Sequence, residues 1–306
     1  MKYNDLIDLI EEFAPTEWFE DEDNSGIQVH CGREDIDRVL VCLEINDAVL
    51  EEAKATKADM IITHHPLLFH PVNKITPETP VGRYLLAAIA AGIDVYSSHL
   101  AFDTAEKGNN VYLAELLKLE DVALPEGDWD DDDEEDELED ELDEGGDGFD
   151  EADPDDPDDD SDDDSDDEYE YDVDEVGSMG RLPVPMSFGE FCTYVERCLD
   201  LPKNYIRCVD GGKETLEKVA LCTGAGGDFI YTAVREGCDA YITGDLKLHE
   251  AQYAKAMGLT VIDAGHYGTE KIFTENFAAQ LRARAQEQGE KLEVIEAEAD
   301  TNPYTL

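Results

Sequence analysis

The chain has 306 residues, room for two lobes at ~100–200 residues per domain, and its 78 acidic against 22 basic residues give a formal charge of −56. Residues 126–175 hold 34 of the acids and no Lys, Arg or His; the other 256 residues carry a net −22 and are long enough for a large core. This balance disfavours nucleic acid and anionic membrane surfaces, which are gripped by Lys and Arg, and no apolar run approaches the ~20 residues of a membrane helix.

The N-terminal run MKYNDLIDLIEEF carries acids early and no small-residue cleavage site, so no signal peptide is expected. Residues 38–43 (RVLVCL) read as a buried strand, 47–57 as a helix, and 59–63 (DMIIT) as a second strand. A helix over 81–91 ends at Gly92, a C-cap signal, and 93–97 (IDVYS) is a third strand. Beyond the acidic stretch, strands are expected at 218–223 (KVALCT), 240–243 (AYIT) and 259–263 (LTVID), with helices at 229–236 and 249–257 between them. Strand, crossover helix and strand imply an α/β fold with mainly parallel neighbours, in two similar halves. Seven cysteines without a CxxC pair indicate neither a disulfide framework nor a cysteine zinc site. Cys42 and Cys222 are expected to be buried thiols, and the compartment to be the reducing cytoplasm.

The boundaries are drawn as a first half at 1–124, an acidic low-complexity insertion at 125–176 and a second half at 177–306. High charge with little apolar surface cannot offset the entropy of folding, and Pro154 and Pro157 add to this, so the insertion is expected to be disordered. A weak cation collector or a partner-binding tail stands beside that reading. Ser161 and Ser165 lie where an acid-directed kinase could act.

The two halves also resemble each other. VLVCLEINDAVLEEAKATKADMIITHH aligns with VALCTGAGGDFIYTAVREGCDAYITGD, and each is followed by a helix, a glycine (Gly92, Gly258) and a strand leading to a histidine. His99 precedes Asp103 by four residues, as His266 precedes Glu270. A duplicated unit is expected, with its strand ends facing across a pseudo-two-fold axis.

Open α/β sheets bind ligands at the carboxyl ends of their strands, and the chemical residues gather there. His64 and His65 follow one strand. Adjacent side chains point apart, so the pair suits two neighbouring ions better than one, and Pro66 shapes the turn behind it. Four-residue spacing puts His99 with Asp103, and His266 with Glu270, on one face if the segments are helical, and in a loop the short reach still allows each pair to converge. Nitrogen and oxygen donors together suit zinc, iron or manganese, and a carboxylate can bridge two cations ~3.5–4 Å apart. His99 stands as a proton shuttle, base or structural residue. Asp245 is a candidate to orient a ligand histidine, and Lys247 to meet an anion, against the alternative of a helix N-cap with surface Lys247 and His249. The glycine-rich 223–227 (TGAGG) lacks a phosphate-loop pattern and reads as a tight turn.

The motifs DNSGIQV, THHPLLF, SSHLAFDTAEKGNN and DAGHYGTEK together resemble the Nif-three-like dinuclear-metal family, also called GTP cyclohydrolase 1 type 2 homologues. The resemblance covers roughly residues 1–120 and 177–306. Carried over motif by motif, it implies a two-metal site on His64, His65, Asp103, His266 and Glu270. It also implies a cytoplasmic homohexamer built as a ring with its sites facing an inner cavity. The acidic stretch departs from relatives that carry a folded domain at this place, so no regulatory role of that domain is transferred. The expected function is a metal-dependent hydrolase with two divalent ions per subunit, acting on a nucleotide or phosphoester, with His99 or His249 passing protons. The alternative is a non-catalytic metal-binding scaffold.

Overall fold

The computed structural model describes residues 1–17, 23–123 and 176–304; the expectations for the acidic stretch, Ser161 and Ser165 among them, lie outside these residues. The described chain builds two mixed α/β sheets. In the first half come α1 (Tyr3–Glu11), β1 (Gly26–Val29), β2 (Arg38–Cys42), α2 (Asp47–Thr56), β3 (Met60–Thr63), α3 (Pro80–Ala91), β4 (Asp94–Ser97), α4 (Leu100–Asp103), α5 (Asn109–Leu116) and β5 (Glu120–Ala123). In the second come β6 (Ser178–Met186), α6 (Phe188–Cys198), β7 (Arg207–Val209), β8 (Leu216–Ala225), α7 (Phe229–Arg235), β9 (Ala240–Gly244), α8 (Leu248–Met257), β10 (Thr260–Asp263), α9 (His266–Glu270), α10 (Phe273–Glu287) and β11 (Glu293–Glu296).

The sheet orders are β1-β4-β3-β2-β11 and β5-β6-β8-β9-β10-β7. The same unit appears in both. Three parallel strands, β2-β3-β4 and β8-β9-β10, are each flanked by an antiparallel edge strand, β1 or β7. The repeat extends to single hydrogen bonds. Asp59 accepts the N–H groups of Asp37 and Arg38, and Asp239, 180 positions later, accepts those of Glu217 and Lys218. Gly92 and Gly258 close α3 and α8 at φ 64° and 73°, the left-handed region where a glycine carries no Cβ penalty.

Strand alternation decides what each face of a sheet buries. Val39, Val41, Met60, Ile62 and Tyr96 face one core, while Leu40, Cys42, Ile61 and Val95 face the other, against α2 and α3. Likewise Val219, Leu221, Ala240 and Ile242 face α5 and α6, and Ala220, Cys222 and Tyr241 face α7 and α8. Both sheets are therefore covered on two sides, which is why their parallel strands read as continuous apolar runs. Cys42 and Cys222 are buried, and burial pushes both thiols well up.

The halves exchange elements. The C-terminal β11 pairs in parallel with β2, and α10 puts Phe273, Phe277 and Leu281 into the core beneath α1. Reciprocally, β5 pairs with β6, and α5 puts Leu113 and Ala114 into the core of the second sheet. Each sheet is thus completed by chain from the other half. Phe277 packs its ring against Phe13, Phe102 and Phe273 at centroid distances of 5.0–5.2 Å. Phe277→Ala is expected to cost about 3–5 kcal/mol of unfolding free energy in denaturant titration, as for other buried Phe truncations. A cost near zero would show that the exchanged helix adds little to the first-half core.

Candidate metal centre

The ends of β3, β4 and β10 meet the start of β8's terminal turn in one polar cluster. His64 and His65 leave β3 with both backbone N–H groups on Leu43 O, at 3.0 and 3.1 Å. Ser97 Oγ donates to His64 O and Thr63 Oγ1 to His65 O, so the turn before Pro66 is fixed from both sides. The His64 Nδ1–H donates to Ser98 O at 3.0 Å, since a carbonyl can only accept. That leaves Nε2 facing the buried Asp103 and Glu270 carboxylates.

Two groups of three donors form around one carboxylate. His64 Nε2 stands 3.5 Å from Asp103 Oδ2 and 3.6 Å from Glu270 Oε1. The other Glu270 oxygen, Oε2, stands 3.0 Å from both His65 Nε2 and His266 Nε2, which are 3.3 Å from each other. A tetrahedral ion with bonds of ~2.0–2.1 Å holds its ligand atoms roughly 3.4 Å apart, so the second triangle has the dimensions of a coordination face and the two known edges of the first match it. His64 Nε2 and Glu270 Oε2 are buried and make no hydrogen bond. Unpaired buried polar atoms are costly. Two of them at the centre of a nitrogen and oxygen donor set fit a divalent cation. His64, Asp103 and Glu270 are sealed, at 0 %, 5 % and 2 % exposure, whereas His65 and His266 are partly open.

Charges within the cluster control its titration. Burial opposes a charged His64, yet the Asp103 and Glu270 carboxylates outweigh it and push His64 up to about 9. Burial likewise opposes charge on His266, and Glu270 and Asp245 raise it to about 9. Burial alone would raise Glu270, but the facing His64 and its companion imidazoles hold it well below the usual carboxylate range. Asp103 is raised by burial, with His64 pulling against that and Glu270 adding to it.

A ring of supporting groups fixes these side chains. Asn109 Nδ2 donates to Asp103 Oδ1 at 2.8 Å and Asn110 Nδ2 to Asp103 O at 3.1 Å, while Asn110 Oδ1 accepts Thr223 N–H. Asp245, at the position in the second half that matches His65 in the first, accepts the His266 Nδ1–H at 2.9 Å. The expected orienting contact of Asp245 is therefore present, and the N-cap of α8 is Lys247. Lys247 and His249 are exposed, and His249 joins none of the donor groups. His30 lies beside Asp94 and His70 beside Phe69, both away from the cluster.

His99 lies among the imidazoles, 5.0 Å from the His64 ring and 5.6 Å from that of His65. Its Nδ1–H donates to Asp23 Oδ1 at 3.0 Å, and it forms a further donor group with His64 and His65. Burial would raise Asp23, but His99, Ser25 and the Leu100 N–H hold it below its ordinary value, so it stays ionised. Sequence reasoning missed Asp23, Asn109, Asn110 and Thr223. The available signal was the clustering of small polar residues in DNSG and GNN beside the motif histidines.

Of the expected TGAGG turn, Thr223, Gly224 and Ala225 are the end of β8, and only Gly226 and Gly227 leave the strand. The Gly224 N–H goes to Thr269 Oγ1 and the Gly226 N–H to Thr243 Oγ1, so neither is free for a phosphate. Gly224 has φ +71°, and a Cβ there would stand 2.1 Å from Glu270 Oε1. The glycine lets β8 approach the shared carboxylate.

Residues 1–303 match the family described as Duf34/NIF3 (NGG1p interacting factor 3). A protein of Clostridium perfringens named GTP cyclohydrolase 1 type 2 homolog is 31% identical over 273 residues, covering 88% of this chain and 87% of its own. A Bacillus subtilis protein of the same name is 27% identical and covers 98% and 97%. Among solved structures, HcgD from Methanocaldococcus jannaschii matches with a TM-score of 0.70 and 26% identity over 98% of both chains. A Bacillus cereus protein related to NIF3 shares the fold at a TM-score of 0.78 and 21% identity, covering 100% of this chain and 99% of that one. With its match running from residue 1 to 303, the chain belongs to the DUF34/NIF3 family.

Proposed function

We propose that the chain is a dinuclear metal protein acting as a hydrolase on a nucleotide or phosphoester. His64, Asp103 and Glu270 would hold one divalent cation, and His65, His266 and Glu270 the other. The observation that carries this reading is the single Glu270 carboxylate, each oxygen of which faces a separate donor group. The names of the curated relatives agree with a hydrolytic chemistry on a nucleotide. A bound ion pair supplies Lewis acidity and an activated water at neutral pH. The protein's own groups do the rest. Ser98 O and Asp245 hold the Nδ1–H groups of His64 and His266, an arrangement that would leave each Nε2 free to ligate a bound ion. Asn109 fixes the Asp103 carboxylate. His99 Nε2, held by Asp23, accepts a proton at the open side of the cluster. Zinc, iron and manganese all suit this donor set.

Protein purified without chelator is expected to contain two transition-metal equivalents per chain by elemental analysis. His266→Gln and Asp103→Asn are each expected to lose one equivalent, and Glu270→Ala both. If Glu270→Ala retains two, the carboxylate is no bridge. The loaded wild type is expected to turn over at least one substrate in a panel of nucleotides and phosphoesters, and His65→Ala to abolish it. Turnover of none supports a scaffold, and turnover unchanged in His65→Ala removes the hydrolase reading.

Two further outcomes follow from the geometry. Gly224→Ala is expected to fold but to displace Glu270 and lower metal content below one equivalent; full content would mean that β8 can yield. In chelator-treated protein, His64 and His266 rise from 6.5 to about 9 on folding. Their stabilisation is complete below pH 6.5 and lost as pH climbs through 9. The melting temperature of stripped protein is therefore expected to fall between pH 6.5 and 9.5. Metal-loaded protein, whose imidazoles are neutral throughout, should lack this decline. Parallel curves would contradict the cluster's electrostatics.

A further inference from the structure

Away from the metal centre, the described residues hold one pair of thiols in contact. Cys192 on α6 and Cys208 on β7 bring their sulfurs to 3.6 Å. Cys42, Cys222 and Cys238 are buried, and Cys31 and Cys198 have no sulfur neighbour of this kind. Cys192 is half-buried and Cys208 exposed. A cleft of about 420 Å³, lined by Cys208, Val209, Asp210, Ala251, Gln252 and Lys255, opens beside the pair. Two thiols on separate elements, in contact and reachable, have the arrangement of a couple that needs only a small approach to reach the ~2.05 Å of a disulfide.

We propose that Cys192 and Cys208 form a reversible dithiol–disulfide couple, closed by exchange with a low-molecular-weight disulfide. Cys192 is the attacking sulfur. Contact with Cys208 lowers the Cys192 thiol, and the same contact raises Cys208. The Cys192 thiolate attacks one sulfur of the reagent, whose S–S bond breaks, and a thiolate leaves and takes up the Cys192 proton. Cys208 then loses its proton and attacks the Cys192 sulfur of the mixed disulfide, and the second thiolate leaves with that proton. Two protein thiols are oxidised by two electrons and the reagent is reduced to two thiols.

The position of the couple gives it a consequence. β7 is an edge strand whose Arg207 and Cys208 lie opposite Asp263 and Ile262 of β10. The Arg207 guanidinium binds Asp263, and Asp263 Oδ1 accepts the Gly265 N–H just before His266. A bond between Cys192 and Cys208 ties this edge to α6.

The test needs neither bound metal nor activity. Full-length protein is equilibrated in buffers of varied reduced-to-oxidised glutathione ratio, quenched with iodoacetamide and mapped by peptide mass spectrometry. Cys192 and Cys208 are expected to lose alkylation together, to appear as one crosslinked peptide within the chain, and to be restored by dithiothreitol. In Cys208→Ser, glutathione is expected to accumulate on Cys192, with the near-ultraviolet circular dichroism of the wild type retained. Independent alkylation of the two thiols, a crosslink to Cys198 or between chains, or no crosslink in the most oxidising buffer would each overturn the proposal.

Discussion

A carboxylate buried among imidazoles sets the demands that the rest of this chain meets. Glu270 is almost wholly enclosed, faces His64, His65 and His266, and lies near a second buried acid, Asp103. Removing such ions from water costs several kcal/mol each unless counter-charges face them closely. Two of the three imidazoles come from the end of β3, near residue 64, and the third from the first residue of α9, His266. Their convergence requires that two sheets hold their strand ends together. The exchange of α5 and β5 for α10 and β11 does this by making each core depend on chain from the other half.

The unit that recurs in the two halves differs between them in a physically readable way. At the strand end where the first half places His64 and His65, the second places Gly244 and Asp245. Asp245 holds an imidazole in orientation, while Gly244 packs tightly against the backbone of His266. Four residues after the next histidine, one half carries Asp103 and the other Glu270. The extra methylene matters. Asp103 turns one oxygen to His64 and the other to Asn109, so it serves one donor group. Glu270 reaches far enough to put one oxygen in each.

Much of this was legible in the sequence, because the parallel strands are buried on both faces and read as apolar runs, and because histidines and acids at strand ends are rare enough to notice. The turn glycines Gly92 and Gly258 fixed the helix ends. The edge strands were not legible. β5 (EDVA) and β11 (EVIE) are short and half charged, and nothing local says which sheet they join. The supporting groups were hidden for a related reason. Asp23 meets His99 across 76 positions and Asn110 meets Thr223 across 113, and neither residue type announces a partner at that distance. Gly224 looked like a loop glycine; only the approach to Glu270 explains it.

Anomalous diffraction from crystals of protein never exposed to chelator, collected on both sides of the absorption edge of the metal found in it, addresses the central claim most directly. The account predicts two peaks per chain, one on each side of the Glu270 carboxylate, the first within bonding distance of His64 and Asp103 and the second of His65 and His266. One peak remote from Glu270, or imidazoles closed on the carboxylate with no peak between them, would contradict it.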